Sequence, residues 1–480
     1  RLQARAWLLR DPAGLAAQLD PSLALAELTT RAVAVPSAPR TSTVDLAVAA
    51  VLTGTVHTEA QAPMPPPQPV VLPAAGTPAA APALIVAPAA LIPAPAASAA
   101  QAAWAQPIPA WTELAMDAIQ RSQRTSNRAA RDLAILSVAF NDSFFVLDAA
   151  RAQKAEVSED ALLAAVARQT LTALYPSDDH RWQQSYAVAV WMGAWHTRAS
   201  AQSVANGVQL GEIVADAVQA RMDTDGASAP QTFDWPESMI PPGQTILAPP
   251  VDRWRPTLPE HPIDPLWGKV QLIGLPSAKG LTAAAPPNWD AEAFVATRMA
   301  FAATQHTLTD TQRATVQQWA AHPGIAPIAS LWFRIAQMFV SDAHLDNRAT
   351  ANVYAALGVT VHNASVVSWA DAYAYRVPRP TAWMRAHDSA WSPLVQAPSI
   401  PSYPSDDAVT SYAVADVLIA FFPAQTPQIT ATAVAAARAQ VYAGVHWQLD
   451  TDAGADQGRR VGQAMLALMR SSKASVNRFV

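Results

Sequence analysis

The sequence predicts a mostly α-helical bundle preceded by a long extended arm. Three observations carry that expectation. Apolar residues recur at helical spacing from about residue 109 to the C-terminal region. Residues 60–112 carry no charged side chain and are dense in proline. Hydrophobic residues make up 51% of the 480, against 14% charged, a balance that calls for a well-buried helical body or for large partner-covered surfaces.

The chain divides into a 1–55 extension, a 56–108 Pro/Ala-rich arm and a 109–480 helical domain. The extension holds a short helical pattern and an apolar run, neither large enough for a domain. In the arm, "APMPPPQPVVLPAAGTPAAAPALIVAPAALIPAPAA" spaces proline too closely for helix or central strand, which leaves an extended polyproline-like chain. Val70, Val71, Leu72, Leu84, Ile85, Val86, Leu91 and Ile92 give it more apolar surface than a solvated linker needs. The expectation is that residues 60–110 pack on other protein subunits or on a homodimer mate.

Helical segments follow in order. "SNRAARDLAILSVAFNDSFFVLDAARAQ" has a candidate N-cap in Ser126, and "EDALLAAVARQTLTALYP" comes next. "DDHRWQQSYAVAVWMGAWHTRASAQSVANGVQLGEIVADAVQARMD" is long enough for one or two helices, its leading acid pair serving as a cap. Residues 226–290 are Pro-rich and form a long irregular connection. Helices resume over 289–306, 308–323, 328–342, 347–376, within 401–422, where a loop runs into a buried helix, and over 430–447.

Several function classes fall away. A net charge of −5 without a basic cluster gives nucleic acid no footprint, and no uninterrupted apolar run reads as a membrane span. With no cysteine, disulfides, thiolate catalysis and Cys-based metal sites are excluded. The chain starts at Arg1; together with the absence of cysteine this suggests a removed signal peptide and an extracytoplasmic location.

Three C-terminal segments carry the chemistry: "YRVPRPTAWMR" (375–385), "SYPSDDA" (402–408) and "AAARAQVYAGVHWQLDTDAGADQGRRVGQAM" (435–465). In order and spacing they resemble the vanadium-dependent haloperoxidases and type 2 phosphatidic acid phosphatases, the likeness extending over about 109–470 through "DPLWGKVQLIGLPS" and "ARDLAILSVAFNDSFF". The resemblance implies a haloperoxidase-like helical bundle whose oxyanion pocket falls within 372–446. That family holds the anion with a Lys six residues ahead of an Arg-Pro, a Pro-Ser-Gly-His and a Ser-Arg, and follows the last with an apical His. Arg379, Ser405 and His446 match.

The departures are chemical. Ala372 stands at the Lys position, Asp406 and Asp407 at the Gly-His, and Ala439 and Gln440 at the Ser-Arg. Two unit charges ~4 Å apart interact by ~4 kcal/mol at an effective dielectric near 20, so exchanging attractive charges for two repulsive ones should cost a bound oxyanion many kcal/mol. Arg376 and Arg438, a few residues from vacant motif positions, are the candidates to restore positive charge.

The expectation is therefore a catalytically degenerate structural or assembly subunit without a cofactor. One alternative retains vanadate haloperoxidase or phosphatase chemistry, with His446 as nucleophile or vanadate ligand and Asp407 as acid/base. Another places a cation between Asp406, Asp407 and His446. The segment 450–458 faintly resembles a Ca²⁺ loop but lacks its terminal Glu, and is expected to be a turn.

Overall fold

A computed structural model describes residues 106–231, 252–256, 261–319 and 327–475. The proline-rich arm and the 1–55 extension lie outside the described residues. Among those described there is no strand, and thirteen α-helices make up the body. In chain order they are α1 (Pro107–Arg121), α2 (Ser126–Ala152), α3 (Glu159–Leu174), α4 (Asp179–Thr197), α5 (Ala201–Met222), α6 (Glu292–His306) and α7 (Asp310–Trp319). They continue as α8 (Ile328–Asp342), α9 (Asn347–Tyr375), α10 (Pro380–His387), α11 (Asp406–Phe421), α12 (Thr426–Tyr442) and α13 (Gln448–Ser475).

The central helix is α9. Apolar and small residues surround its whole circumference, and it is buried nearly end to end from Thr350 to Tyr373. A helix without a polar face must be enclosed, and α2, α11 and α8 pack around this one. Asp346 caps its start, its carboxylate accepting from the Ala349 amide at 2.8 Å, and Arg376 ends it in the left-handed conformation (φ 53°).

Helix α2 is long and apolar enough to cross a membrane by length and composition alone. Its most apolar window is 78% buried inside the protein, as befits a core helix. Thr125, not Ser126, occupies its N-cap position. The long segment after residue 178 is two helices, α4 and α5, broken at Arg198 (φ 52°) and restarted by Ser200, whose hydroxyl accepts from the Ser203 amide.

Glycine determines how closely two helix pairs approach. Along α13, Gly454, Gly458 and Gly462 recur every four residues and face α11; a Cβ on Gly458 would stand 2.4 Å from the Val409 carbonyl oxygen, and one on Gly454 2.7 Å from that of Ser405. Gly207 and Gly211 do the same for α5 against α3, at 2.4 Å from Ser158 O and 2.5 Å from Leu162 O. The first row sets the site, since it draws the start of α13 against the N-terminus of α11. The expected turn at 450–458 is instead helix, its glycines serving close packing rather than a bend.

The irregular stretch before α6 is tied to the body through polar contacts. Asp264 accepts from Asn127 at 2.8 Å and from both Nε and Nη2 of Arg128, at 2.8 and 2.6 Å. Trp267 is fully buried and donates to the Ser365 hydroxyl at 3.2 Å. Beside it Gly268 lies so near α9 that a Cβ would meet Ala370 Cα at 2.5 Å.

Candidate functional site

Arg379, the Ser402–Asp407 segment and the His446–Asp450 segment converge in one buried cluster between the ends of α9, α11, α12 and α13. The local sequence places each. Pro380 at the first turn of α10 leaves Arg379 extended at the N-cap position. The Gly444 turn (φ 86°) then ends α12 and brings His446 back against Gln440, whose carbonyl accepts from the Val445 and His446 amides at 3.2 and 3.3 Å.

Arg379 is 4% exposed, and its guanidinium donates to protein on several sides. Nε donates to Ile400 O at 2.8 Å, Nη1 to Val445 O at 2.9 Å, and Nη2 to Pro401 O at 3.4 Å. Nη1 also lies 3.1 Å from His446 Nε2. An arginine can only donate, so this contact makes Nε2 the acceptor and puts the imidazole proton on Nδ1, 3.4 Å from Asp450 Oδ2. Burial, reinforced by the Arg379 charge, holds His446 neutral by pushing its pKa well below the usual value. Burial also lowers Arg379 to about 10, and the nearby carboxylates act to keep it charged, Asp406 most strongly, then Asp450 and Asp407.

Ser405 caps α11, its hydroxyl accepting from the Ala408 amide at 3.4 Å and its own amide donating to Asp450 O at 3.0 Å. The acid pair therefore forms the first turn of α11, with Ser405 as the cap. The side chain of Asp406 is 14% exposed and its Oδ1 stands 3.9 Å from His446 Nε2. Burial raises the pKa of Asp406 against the pull of Arg379, and raises that of Asp407 well above the carboxylate range, with the Asp406 charge adding to it. Of the two, Asp406 acts the more strongly on the Arg379 charge.

Two members escaped the sequence reading. Asp450 is fully buried, accepts from the Ser402 hydroxyl and from the Trp447 amide (2.8 Å), and is pushed well above its ordinary pKa by burial. Its four-residue spacing from His446 was the available signal. Trp447 is also fully buried; it donates to Pro378 O at 2.8 Å and is ringed by Trp289, Phe294, Phe301 and Trp383.

The other expected residues fall at the margin. Ala372 is buried on α9 and Gln440 on α12, where Gln440 Nε2 has no hydrogen-bond partner. Arg376 bends back on its own helix, Nε donating to Tyr373 O at 3.1 Å. Arg438 is exposed on α12, near Tyr412 and Asp452. Neither is among the charges acting on His446, Asp406 or Asp407. Among the described residues, no group of three acidic, His or Cys side chains is arranged to hold a metal ion, so the cation reading has no geometric support.

Residues 350–473 match the sequence family described as the PAP2 superfamily. No curated protein matches the chain. A bacterial vanadium-dependent iodoperoxidase shares the fold with a TM-score of 0.63 at 19% identity, over 75% of this chain and 95% of its own. The holo form of a bacterial vanadium-dependent chloroperoxidase aligns with a TM-score of 0.51 at 13% identity, over 66% of this chain and 83% of its own. The apo chloroperoxidase gives 0.51 at 12%, over 72% and 92%. The PAP2 superfamily pattern thus lies over residues 350–473, within a chain that has the haloperoxidase-like fold. Both the α-helical haloperoxidase-like fold and the superfamily agree with the reading of the motifs.

Proposed function

We propose that this chain is a non-catalytic member of its superfamily, retained as a structural or assembly subunit of an extracytoplasmic complex. The carrying observation is the 3.1 Å contact of Arg379 Nη1 with His446 Nε2. As metal ligand or as nucleophile, His446 would need that lone pair free. Here a buried guanidinium covers it, and the rest of that guanidinium is bonded mainly to backbone carbonyls.

The pocket's charges support the same reading. Arg379 is met by Asp406, Asp407 and Asp450, and the positions that would carry Lys and Arg hold Ala372 and Gln440. An oxyanion would face carboxyl groups in a low-dielectric site, where burying a charge without a partner is costly. One orphaned amide donor at Gln440 does not replace a cation. The residues present do not fit vanadate.

A scaffold role is consistent with large apolar side chains left at the surface: Val188 and Trp191 on α4, Val295 and Met299 on α6, and Leu394. Two experiments test the reading. After loading with orthovanadate, the chain should not oxidise iodide or bromide with hydrogen peroxide, nor hydrolyse phosphate monoesters; turnover in either assay refutes it. Light scattering on the full chain should give a mass above that of one copy, or the chain should co-purify with a stoichiometric partner; a lone monomer contradicts the assembly role.

A further inference from the structure

Helix α6 carries its charge on the inner face and part of its apolar surface on the outer one. Arg298 and Gln305 face the body with Phe294 and Phe301. Arg298 donates to Trp289 O at 2.8 Å, its guanidinium carbon 4.2 Å from the Trp289 ring centre, and Gln305 donates to Val441 O at 2.8 Å. The opposite face presents Val295, Ala296, Met299 and Ala303, with Val295 exposed by 38% and Met299 by 55%. A surface helix ordinarily turns its apolar stripe inward and its charges to water. Between Glu292 and His306 the one charged residue is Arg298, and it is buried, so the outer face has no charge to keep it solvated.

The order of residues on that face indicates what covers it. At about 100° per residue, Glu292, Val295, Ala296, Met299, Ala303 and His306 share about a third of the circumference, with Met299 near the middle. Read outward from Met299, the stripe is symmetric in position and complementary in kind. Glu292 stands seven residues before it and His306 seven after; the larger Val295 stands four before and the smaller Ala303 four after. Two such helices packed antiparallel about a two-fold axis at Met299 set Glu292 of each copy against His306 of the other and Val295 against Ala303. A carboxylate and an imidazole hydrogen-bond when the ring is neutral and form an ion pair when it is protonated. A parallel pairing would set Glu292 against Glu292. We infer that the outer face of α6 is a self-complementary interface whose occupant is a second copy of this chain, docked antiparallel about Met299. The inference rests on the assembly role proposed above and names its surface and partner.

The chain has no cysteine, so single introduced cysteines report the geometry directly. Light scattering and sedimentation of the full chain should show a dimer with a dissociation constant on the order of micromolar, as suits an interface built on one helix face. Met299→Glu brings two carboxylates together at the axis and should raise that constant at least about tenfold at unchanged melting temperature, whereas Trp191→Ser, on the exposed face of α4, should leave it in place. A short bis-maleimide should join Met299→Cys to its own copy. Glu292→Cys should not join to itself, because fourteen residues of helix, about 21 Å, separate the two thiols in the antiparallel pair. A mixture of Glu292→Cys and His306→Cys should be joined. Should Met299→Glu fail to fold, the cysteine variants decide. A dimer left intact by Met299→Glu overturns the assignment to α6, and self-joining of Glu292→Cys overturns the antiparallel arrangement. A chain that stays monomeric at ~100 μM overturns the second copy. If that monomer co-purifies with a different protein, the assembly role stands and only this inference falls. A monomer in which the Met299→Cys thiol resists modification likewise overturns it, the face then being covered by a segment of the same chain.

Discussion

Replacing Arg379 by Met tests whether the cluster is held by its one buried cation. The substitution keeps most of the side chain's length and removes its charge and five donors. Left behind are two buried carbonyls, of Ile400 and Val445, now bonded to the guanidinium at 2.8 and 2.9 Å, together with Asp406, which loses its balancing charge. Each carbonyl stripped of its donor costs ~1–3 kcal/mol, and a buried carboxylate deprived of a nearby cation adds to that. These terms overlap because one guanidinium serves them all, so the expected loss is ~3–5 kcal/mol. Urea unfolding followed by circular dichroism at pH 7 measures it. The loss should shrink as the pH is lowered, because Asp406, raised by burial and relieved of the cation that lowers its pKa, then takes up a proton and no longer buries a charge. An Arg379→Met variant within ~1 kcal/mol of the native chain at pH 7 would refute the claim that this guanidinium is a buried, fully engaged partner.

Further outcomes follow from other parts of the fold. Asp142, on α2, has an Oδ1 without a hydrogen-bond partner, and burial pushes its pKa up to about 8. The folded chain thus holds a proton that the unfolded chain releases near pH 4, so stability is present below that pH and falls, by at most ~1.4 kcal/mol per pH unit, up to about pH 8. Asp142→Asn should flatten urea midpoints across that window and be the more stable form at pH 8. Gly458→Val places a Cβ 2.4 Å from Val409 O at the α11–α13 crossing and should cost ~3 kcal/mol or more, with a drop in melting temperature larger than that of Ala431→Val at an exposed position of α12. Trp447→Ala empties the centre of an aromatic cluster and removes the donor to Pro378 O; a loss of ~3–5 kcal/mol in the urea midpoint is expected.

The helices were legible where hydrophobic periodicity or whole-helix apolarity dominates, as in α3, α8 and α9. Where it does not, the sequence misled. The 450–458 stretch, with its acids and glycines, imitates a loop because its glycines serve interhelical approach, a property of the partner helix α11 that no local pattern displays.

Within the site, Arg379, Ser405 and His446 were readable as motif residues, and the structure brings them together. Their present engagements were not. That Arg379 turns onto His446 Nε2, and that Asp450 stands behind the imidazole, depends on how 400–405 and 445–450 cross in space. Proximity in sequence suggested Arg376 and Arg438 as replacement cations, but side-chain direction decides. The first folds back on α9 and the second projects from α12 into solvent.

The most direct test of the central claim is calorimetric titration of orthovanadate into the native chain at pH 7. The account predicts no saturable heat up to millimolar vanadate, because the His446 lone pair is covered by Arg379 and the carboxyl groups of Asp406, Asp407 and Asp450 surround the same guanidinium. Saturable binding at micromolar concentration would contradict it, since that affinity requires Arg379 and His446 to be free for the anion.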